Sequence, residues 1–115
     1  MEICFEPHSD CLVAHLQCYL DRSSAENFKF VLGERMTSDK ILILDLEKLV
    51  HIDSFGLDAL LAVAQKAIEM NSSVKLARIS ADMQIVLDIT KVYRVFEIFD
   101  TIEDAVKSCS KETAK

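Results

Sequence analysis

Apolar residues follow different spacings along the chain, and each spacing predicts one kind of element. The segment KILILDL, residues 40–46, is almost continuously apolar, which is typical of a strand buried on both faces of an α/β sheet. Near the N-terminus, apolar and polar positions alternate, which predicts two strands joined by a turn at residues 7–10. With two short apolar segments farther along, the pattern predicts strands over residues 2–6, 12–17, 40–46, 74–79 and 95–99. The third of these is expected at the centre of the sheet.

Four other stretches place apolar residues three or four positions apart, the spacing of an amphipathic helix. The helical stripes are Ala25, Phe28, Val31, Leu32 and Met36; Leu57, Leu60, Leu61, Ala64 and Ile68; Met83, Val86 and Leu87; and Ile102, Ala105 and Val106. The residues expected to cap these helices are Ser23, with Glu26 as a capping box; Asp53 or Ser54; Ser80; and Asp100 or Thr101. A polar bend is expected at Glu47 and Lys48, and a frayed polar tail from Ser108. This order predicts an α/β fold with a mixed sheet of four to five strands and about four helices packed against it.

The composition is that of one compact domain. The chain has 115 residues, of which 50% are hydrophobic and 28% charged. We assign residues 1–108 to the domain and residues 109–115 to a polar C-terminal tail. The net charge of -6 disfavours a nucleic-acid partner. Because the longest apolar run, Ile41–Leu44, is far shorter than the roughly 20 residues of a membrane span, and no secretory signal begins the chain, we expect a cytoplasmic protein with no membrane association.

Cysteines and histidines near the N-terminus raise the question of a metal site or thiol chemistry. Cys4, Cys11 and Cys18 are separated by six residues each, with His8 and His15 between them. Paired zinc ligands are usually closer in sequence, and residues on strands alternate between faces, so we interpret the thiols as reduced and buried, with no metal. A thiol or metal enzyme using Cys11, Cys18 and His15 remains an alternative, which would require a lowered cysteine pKa or converging ligands. With 2 Gly in the chain, neither a P-loop nor a dinucleotide-binding motif can be written, so no cofactor is expected.

The junction IDSFGLDALL, residues 52–61, is the candidate functional site. A strand pattern there passes into an amphipathic helix through Asp53 and Ser54, both good caps, followed by Gly56. A helix N-terminus exposes unpaired backbone N–H groups and a partial positive charge. On local grounds alone, the segment is a helix cap with a glycine that permits a tight turn.

The longer segment DLEKLVHIDSFGLDALL, residues 45–61, resembles the signature of STAS domains, in particular the single-domain anti-sigma-factor antagonists. That signature is a hydrophobic strand, an Asp-Leu pair, a short loop, and then Asp-Ser, a small residue and Gly-Leu at the start of a helix. LQCYLDRSSAENF, residues 16–28, is similar to the family's second strand and first helix start. ISADMQIVLDITKVYRVFEIFDTIEDAV, residues 79–106, resembles its last strand and the helices on either side. The resemblance extends over Ile3–Val106 and implies a STAS fold.

The resemblance also implies a non-catalytic protein that switches between partners. Ser54 matches the serine that an anti-sigma-factor serine kinase phosphorylates and a serine/threonine phosphatase restores. In the family, the unmodified antagonist binds the kinase and frees the sigma factor, and the phosphorylated form is released. The implied partner-binding face consists of Asp21, Ser23, Ser24, Asp53, Ser54, Phe55 and Gly56. No metal or cofactor is implied, and the chain is expected to be a monomer or a weak dimer.

Some positions depart from the family pattern. Phe55 stands where Ser, Thr or Ala is usual, and its ring either buries inward or anchors a partner. Cys18, Tyr19 and Lys91 also differ from the pattern, which suggests a divergent branch. His51 could help to position a phosphate, or it is simply solvated. The alternative function is a STAS protein that is never phosphorylated and serves as a structural or regulatory subunit of a transporter or signalling scaffold; Ser54 separates the two only weakly, because it is also a good cap.

Overall fold

Strands and helices alternate along the chain in the computed structural model, which describes residues 2–38, 40–91 and 96–113. The strands are β1 (Glu2–Pro7), β2 (Cys11–Leu20), β3 (Ile41–Ile52), β4 (Val74–Ala77) and β5 (Glu97–Phe99). The helices are α1 (Ala25–Arg35), α2 (Ser54–Glu69), α3 (Ala81–Thr90) and α4 (Ile102–Thr113). The predicted order of elements and the single α/β domain with a mixed sheet are confirmed. None of the helices in these described ranges combines the length and the apolar character needed to cross a bilayer.

The strands lie in the sheet in the same order as in the chain, β1-β2-β3-β4-β5. β1 pairs with β2 in antiparallel orientation, and the other neighbours are parallel. β3 is therefore the central strand, as predicted, and all its residues from Ile41 to Leu46 are buried. Continuous burial explains why this segment has no polar alternation apart from Asp45.

Successive residues of β3 supply two hydrophobic clusters, one on each face of the sheet. The larger cluster contains Leu42, Leu44 and Leu46 together with apolar residues of α1, α2 and α3. The smaller one contains Ile41 and Ile43 and is covered by residues of α4. Helices thus pack on both faces, but the face beneath α4 has the smaller apolar area.

The bend predicted at Glu47 and Lys48 is wrong. Both side chains are exposed, yet β3 continues through them to Ile52. The pairing with β2 shifts register between His15 and Gln17 and again between Cys18 and Tyr19. These irregularities let the strand continue while its polar side chains face water, so polarity at this point does not end the strand.

The N-terminal cap of α1 also differs from the prediction. The cap residue is Ser24, and its side chain makes no capping bond, so the Ser23–Glu26 capping box is wrong. The caps at Asp53 and Ser80 are confirmed, since their side chains accept hydrogen bonds from Gly56 N and Met83 N, respectively.

The C-terminal elements are partly as predicted. β4 ends at Ala77 rather than at residue 79, because Arg78 has a left-handed backbone with φ of 57° that leaves the extended conformation. The predicted strand at 95–99 begins at a residue outside the described ones; Phe96 is described and is not in a strand, and β5 covers Glu97–Phe99. A frayed tail from Ser108 is wrong, because α4 continues to Thr113 and Cys109, a residue of this helix, is fully buried. The division into a domain, 1–108, and a tail, 109–115, stays a prediction.

Candidate functional site

The candidate site forms where β2 and β3 end side by side. The two strands are parallel and remain paired as far as Leu20 and Ile52. The segment between β2 and α1 therefore lies against the start of α2. A backbone hydrogen bond from Asp53 N to Leu20 O, 3.3 Å long, joins the two segments directly. Residues 21–24 and 53–56, which are far apart in sequence, are brought together as the resemblance implied.

Gly56 is the residue that permits this close approach. A Cβ atom at position 56 would lie 2.1 Å from the carbonyl oxygen of Leu20 and 2.9 Å from Cγ1 of Ile52. A side chain of any size would push the first turn of α2 away from the end of β2. Gly56 is itself buried, so its role in the structure is to let the two segments of the site, residues 21–24 and 53–56, pack together.

The side chain of Asp53 also joins these two segments, and it caps α2. Its Oδ1 accepts a hydrogen bond from Gly56 N at 2.9 Å, and its Oδ2 accepts one from Arg22 N at 3.1 Å. The sequence left the cap open between Asp53 and Ser54, and the structure assigns it to Asp53. Ser54 is the first residue of α2 and is exposed, and within the described part of the chain its hydroxyl makes no hydrogen bond.

The loop that precedes α1 is held by its own polar side chains. Oδ1 of Asp21 accepts bonds from the hydroxyl of Ser23 at 2.6 Å and from Ser23 N at 3.0 Å. The Ser23 hydroxyl and the neighbouring N–H groups lower the pKa of Asp21 despite an opposing effect of desolvation. Ser24 is buried, and its hydroxyl donates to Tyr19 O at 2.9 Å and accepts from Asp21 N at 3.1 Å. Asp21 and Ser23 can therefore meet a partner, whereas the Ser24 side chain is used inside the loop.

Phe55 does not bury inward. Its side chain is 50% exposed, and the guanidinium carbon of Arg22 lies 5.5 Å from the centre of its ring. Arg22 is not among the residues that the sequence predicts for this site. The available signal was an Arg immediately after Asp21 combined with a large aromatic residue immediately after Ser54, but nothing in the sequence alone places the two side chains together.

Apolar side chains are also exposed around this end of the sheet. Tyr19 is 53% exposed and Val50 is 72% exposed. The ring of Tyr19 contacts that of His51 edge to face, with centroids 6.5 Å apart. These exposed aromatic and aliphatic groups near the ends of β2 and β3 give a partner protein apolar surface to cover.

Cys11 does not have the features of a catalytic thiol. Burial raises the pKa of Cys11, whereas an activated thiol requires a lowered pKa. Over the ranges that the structure describes, no three His, Cys, Asp or Glu side chains are grouped so that they could hold a metal ion. The side chain of Cys18 lies outside the described residues.

Comparisons with known proteins identify the fold. The model of the STAS domain family matches residues 3–105. A candidate anti-sigma factor antagonist from Thermotoga maritima superposes with a TM-score of 0.84 at 21% identity, over 93% of both chains. The anti-sigma factor antagonist SpoIIAA in its unphosphorylated form superposes with a TM-score of 0.68 at 16% identity, over 96% of this chain and 98% of the other. A sulfate transporter family protein from Wolinella succinogenes gives 0.79 at 18% identity, over 90% and 87%. At these identities, the structural likeness shows the fold alone.

Proposed function

Because the chain belongs to the STAS domain family, we propose that it is an anti-sigma-factor antagonist whose binding to an anti-sigma serine kinase is abolished by phosphorylation of Ser54. The observation that carries the proposal is the exposed hydroxyl of Ser54, which lies at the first position of α2 and makes no hydrogen bond among the described residues. A kinase can reach such a hydroxyl without unfolding the domain. The kinase transfers the γ-phosphoryl group of ATP to Ser54 Oγ, which loses its proton, and ADP leaves.

The position of Ser54 lets the fold tolerate the modification. Asp53, not Ser54, caps α2, so a phosphate on Ser54 leaves the hydrogen bond to Gly56 N intact. The phosphate lies at a helix N-terminus, where backbone N–H groups and the helix dipole favour negative charge. The phosphorylated protein should therefore remain folded and differ from the unmodified form mainly at its surface.

The same modification opposes docking. A phosphate adds about -1.5 to -2 charge at neutral pH. It enters a surface that already carries the carboxylates of Asp21 and Asp53 and the half-exposed ring of Phe55. Covering that surface with a partner would desolvate the phosphate among like charges, which is unfavourable. A phosphatase that adds water to the phosphoserine and releases inorganic phosphate restores the binding form.

Two of the compared structures support this function. One is a candidate anti-sigma factor antagonist and the other is an antagonist described in its unphosphorylated form. In this proposal, the chain acts in the cytoplasm without catalysis or a cofactor. It is a monomer or a weak dimer, and its partners are a kinase and a phosphatase rather than nucleic acid or a membrane.

A regulatory or structural subunit of a transporter or signalling scaffold is the second candidate, because a sulfate transporter family protein shares the fold. In that function, Ser54 is never modified. The first experiment is therefore intact-mass measurement and phosphopeptide mapping of the protein from its own cells, before and after phosphatase treatment. A phosphatase-sensitive gain in mass at Ser54 supports the antagonist function, and unmodified protein under every growth condition supports the second candidate.

Two variants make the assignment specific. Ser54→Ala should abolish the mass gain. Ser38→Ala, which changes an exposed serine between α1 and β3, at the other end of β3 from Ser54, should retain it. A gain that survives in Ser54→Ala would place the modification elsewhere and contradict the proposal.

A further inference from the structure

Arg22 contacts the residues on both sides of Ser54. We propose that its guanidinium binds the phosphate on Ser54 and leaves the ring of Phe55 when it does so; this inference rests on the phosphorylation of Ser54 proposed above. Phosphorylation would then change the surface twice, by adding a phosphate and by removing a cation from the face of an exposed aromatic ring. Arg22 is in this sense the residue that converts the modification into a rearrangement of the docking surface.

The geometry brings Arg22 within reach. Its backbone N–H donates to Oδ2 of Asp53 at 3.1 Å, and its guanidinium carbon lies 5.5 Å from the centre of the Phe55 ring. Ser54 lies between these two contact residues in the chain. A phosphate on its exposed hydroxyl would therefore stand between the two residues that Arg22 contacts, and the proposal requires the Arg22 side chain to rotate from the ring towards it.

Arg22 is also available for a new ionic partner. Within residues 2–38, 40–91 and 96–113, its guanidinium makes no ion pair with a carboxylate, and its side-chain contact is the Phe55 ring. Arg78, by comparison, is paired with Asp45 and Glu47. The Asp53 carboxylate beside Arg22 is occupied by two backbone N–H groups and does not bind the guanidinium.

Moving the Arg22 guanidinium from the Phe55 ring to the phosphate is favourable. An exposed cation–π contact is a weak interaction. Arginine and phosphate can form two parallel charge-assisted hydrogen bonds, each roughly twice as strong as a neutral one. The carboxylates of Asp21 and Asp53 increase the need for a cation at this point, because they would otherwise face the phosphate uncompensated.

The test measures the phosphate directly and needs neither the kinase nor its partner. Phosphoserine is installed at position 54 during translation, and its second ionisation, normally at about pH 6, is followed by phosphorus NMR. A guanidinium bound to the phosphate stabilises the dianion, so this pKa should be about 0.5 unit or more lower in the wild-type background than in Arg22→Gln. Arg22→Lys should give an intermediate value, because it retains the charge without the two-pronged geometry.

Arg35→Gln is the matched control. Arg35 lies over the ring of Phe5, with its guanidinium carbon 4.1 Å from the ring centre, on a different pair of elements from Ser54. Its loss should leave the phosphate pKa at the wild-type value. Unfolding curves of the unphosphorylated variants establish that each is folded, as expected for the exposed Arg22.

The outcomes separate this inference from the proposed function. An equal phosphate pKa in wild type and Arg22→Gln overturns the role of Arg22, and the antagonist function still stands if phosphorylation at Ser54 releases the partner. A phosphorylated protein that keeps its partner overturns the antagonist function, whatever the phosphorus titration shows.

Discussion

Nδ1 of His15 lies 2.5 Å from Oδ2 of Asp45, a carboxylate that is almost entirely buried. The other ring nitrogen, Nε2, lies 3.1 Å from Oε1 of Glu6. Both nitrogens of the imidazole therefore face carboxylates, an arrangement that favours the doubly protonated ring. Arg78 binds the same Asp45 carboxylate through two of its nitrogens. This group of side chains joins the edge strand β1 to β3 and to the end of β4.

The first prediction concerns pH and His15. Burial lowers the pKa of His15, but the hydrogen bonds to Asp45 and Glu6 outweigh burial and raise it above its ordinary value of 6.5. The stabilisation from His15 should be fully present below about pH 6.5 and should be lost as the pH rises through the raised pKa of the folded state. Urea unfolding as a function of pH should show this decline in wild type and not in His15→Gln. His51→Gln, which changes an exposed histidine, should retain it.

The second prediction concerns the buried carboxylate. Asp45→Asn should lower the free energy of unfolding by about 2 kcal/mol or more, because it removes the charge that compensates Arg78 and His15. Glu47→Gln removes a half-exposed carboxylate, 3.2 Å from the same arginine, and should cost less than about 1 kcal/mol. Equal losses in urea unfolding would show that burial of Asp45 does not strengthen its interactions.

Asp45 should lose its contribution to stability as the pH falls, whereas His15 loses its contribution as the pH rises. Burial raises the pKa of Asp45, but its bonds to Arg78 and His15 outweigh burial and hold the pKa below its ordinary value of 3.8. Its contribution is present above about pH 3.8 and is lost as the pH falls through the lowered pKa of the folded state. Asp45→Asn should therefore reduce the loss of stability over that acid range in the same unfolding measurements.

The third prediction is that replacing each of the two glycines by alanine changes the stability of the protein in opposite directions. Gly56→Ala should destabilise the protein by about 2 kcal/mol or more, because the new Cβ would overlap the backbone of Leu20. Gly33→Ala should stabilise it by about 0.5–1 kcal/mol, since Gly33 lies inside α1 and the new Cβ would meet only the flexible end of Lys66. Thermal unfolding of both variants measures the two effects. A neutral Gly56→Ala would mean that α2 can move away from β2 without loss.

The fourth prediction separates the cap from the modified residue. Ser54→Asp should change the free energy of unfolding by less than about 1 kcal/mol, because an acidic side chain is tolerated at a helix N-terminus, and it should weaken binding of the partner kinase. Asp53→Ala should cost about 1–2 kcal/mol, because it removes the cap of α2 and the bond to Arg22 N. If Ser54→Asp unfolds the protein instead, Ser54 is a structural residue and the switch is wrong.

The sequence predicts the parts of the fold that depend on local pattern. Continuous apolar residues identified β3 as the central strand, and capping residues identified the starts of α2 and α3, because both signals arise from neighbours in the chain. The length of β3 was mispredicted because its irregular pairing with β2 is not visible in its own polarity.

Contacts between residues that are far apart in the chain could not be predicted for the same reason, because the local sequence pattern does not show them. Asp45 and Arg78 are 33 positions apart, and their contact follows from the left-handed turn at the end of β4. Arg22 and Phe55 come into contact because Gly56 lets the start of α2 pack closely against the end of β2. Only the folded structure shows this packing. The candidate serine could be predicted, but its surrounding charges could not.

The agreement between strand order and chain order has a consequence for how the molecule assembles. Each new strand joins the edge left by the strand before it, so no strand has to insert between two that are already paired. During synthesis, the larger hydrophobic cluster can begin to close once α1, β3 and α2 have emerged. The smaller cluster must wait for Ala105 and Cys109 of α4, which come last. Until then, Ile41 and Ile43 remain open to water, and the nascent chain presents an apolar sheet face that chaperones can bind.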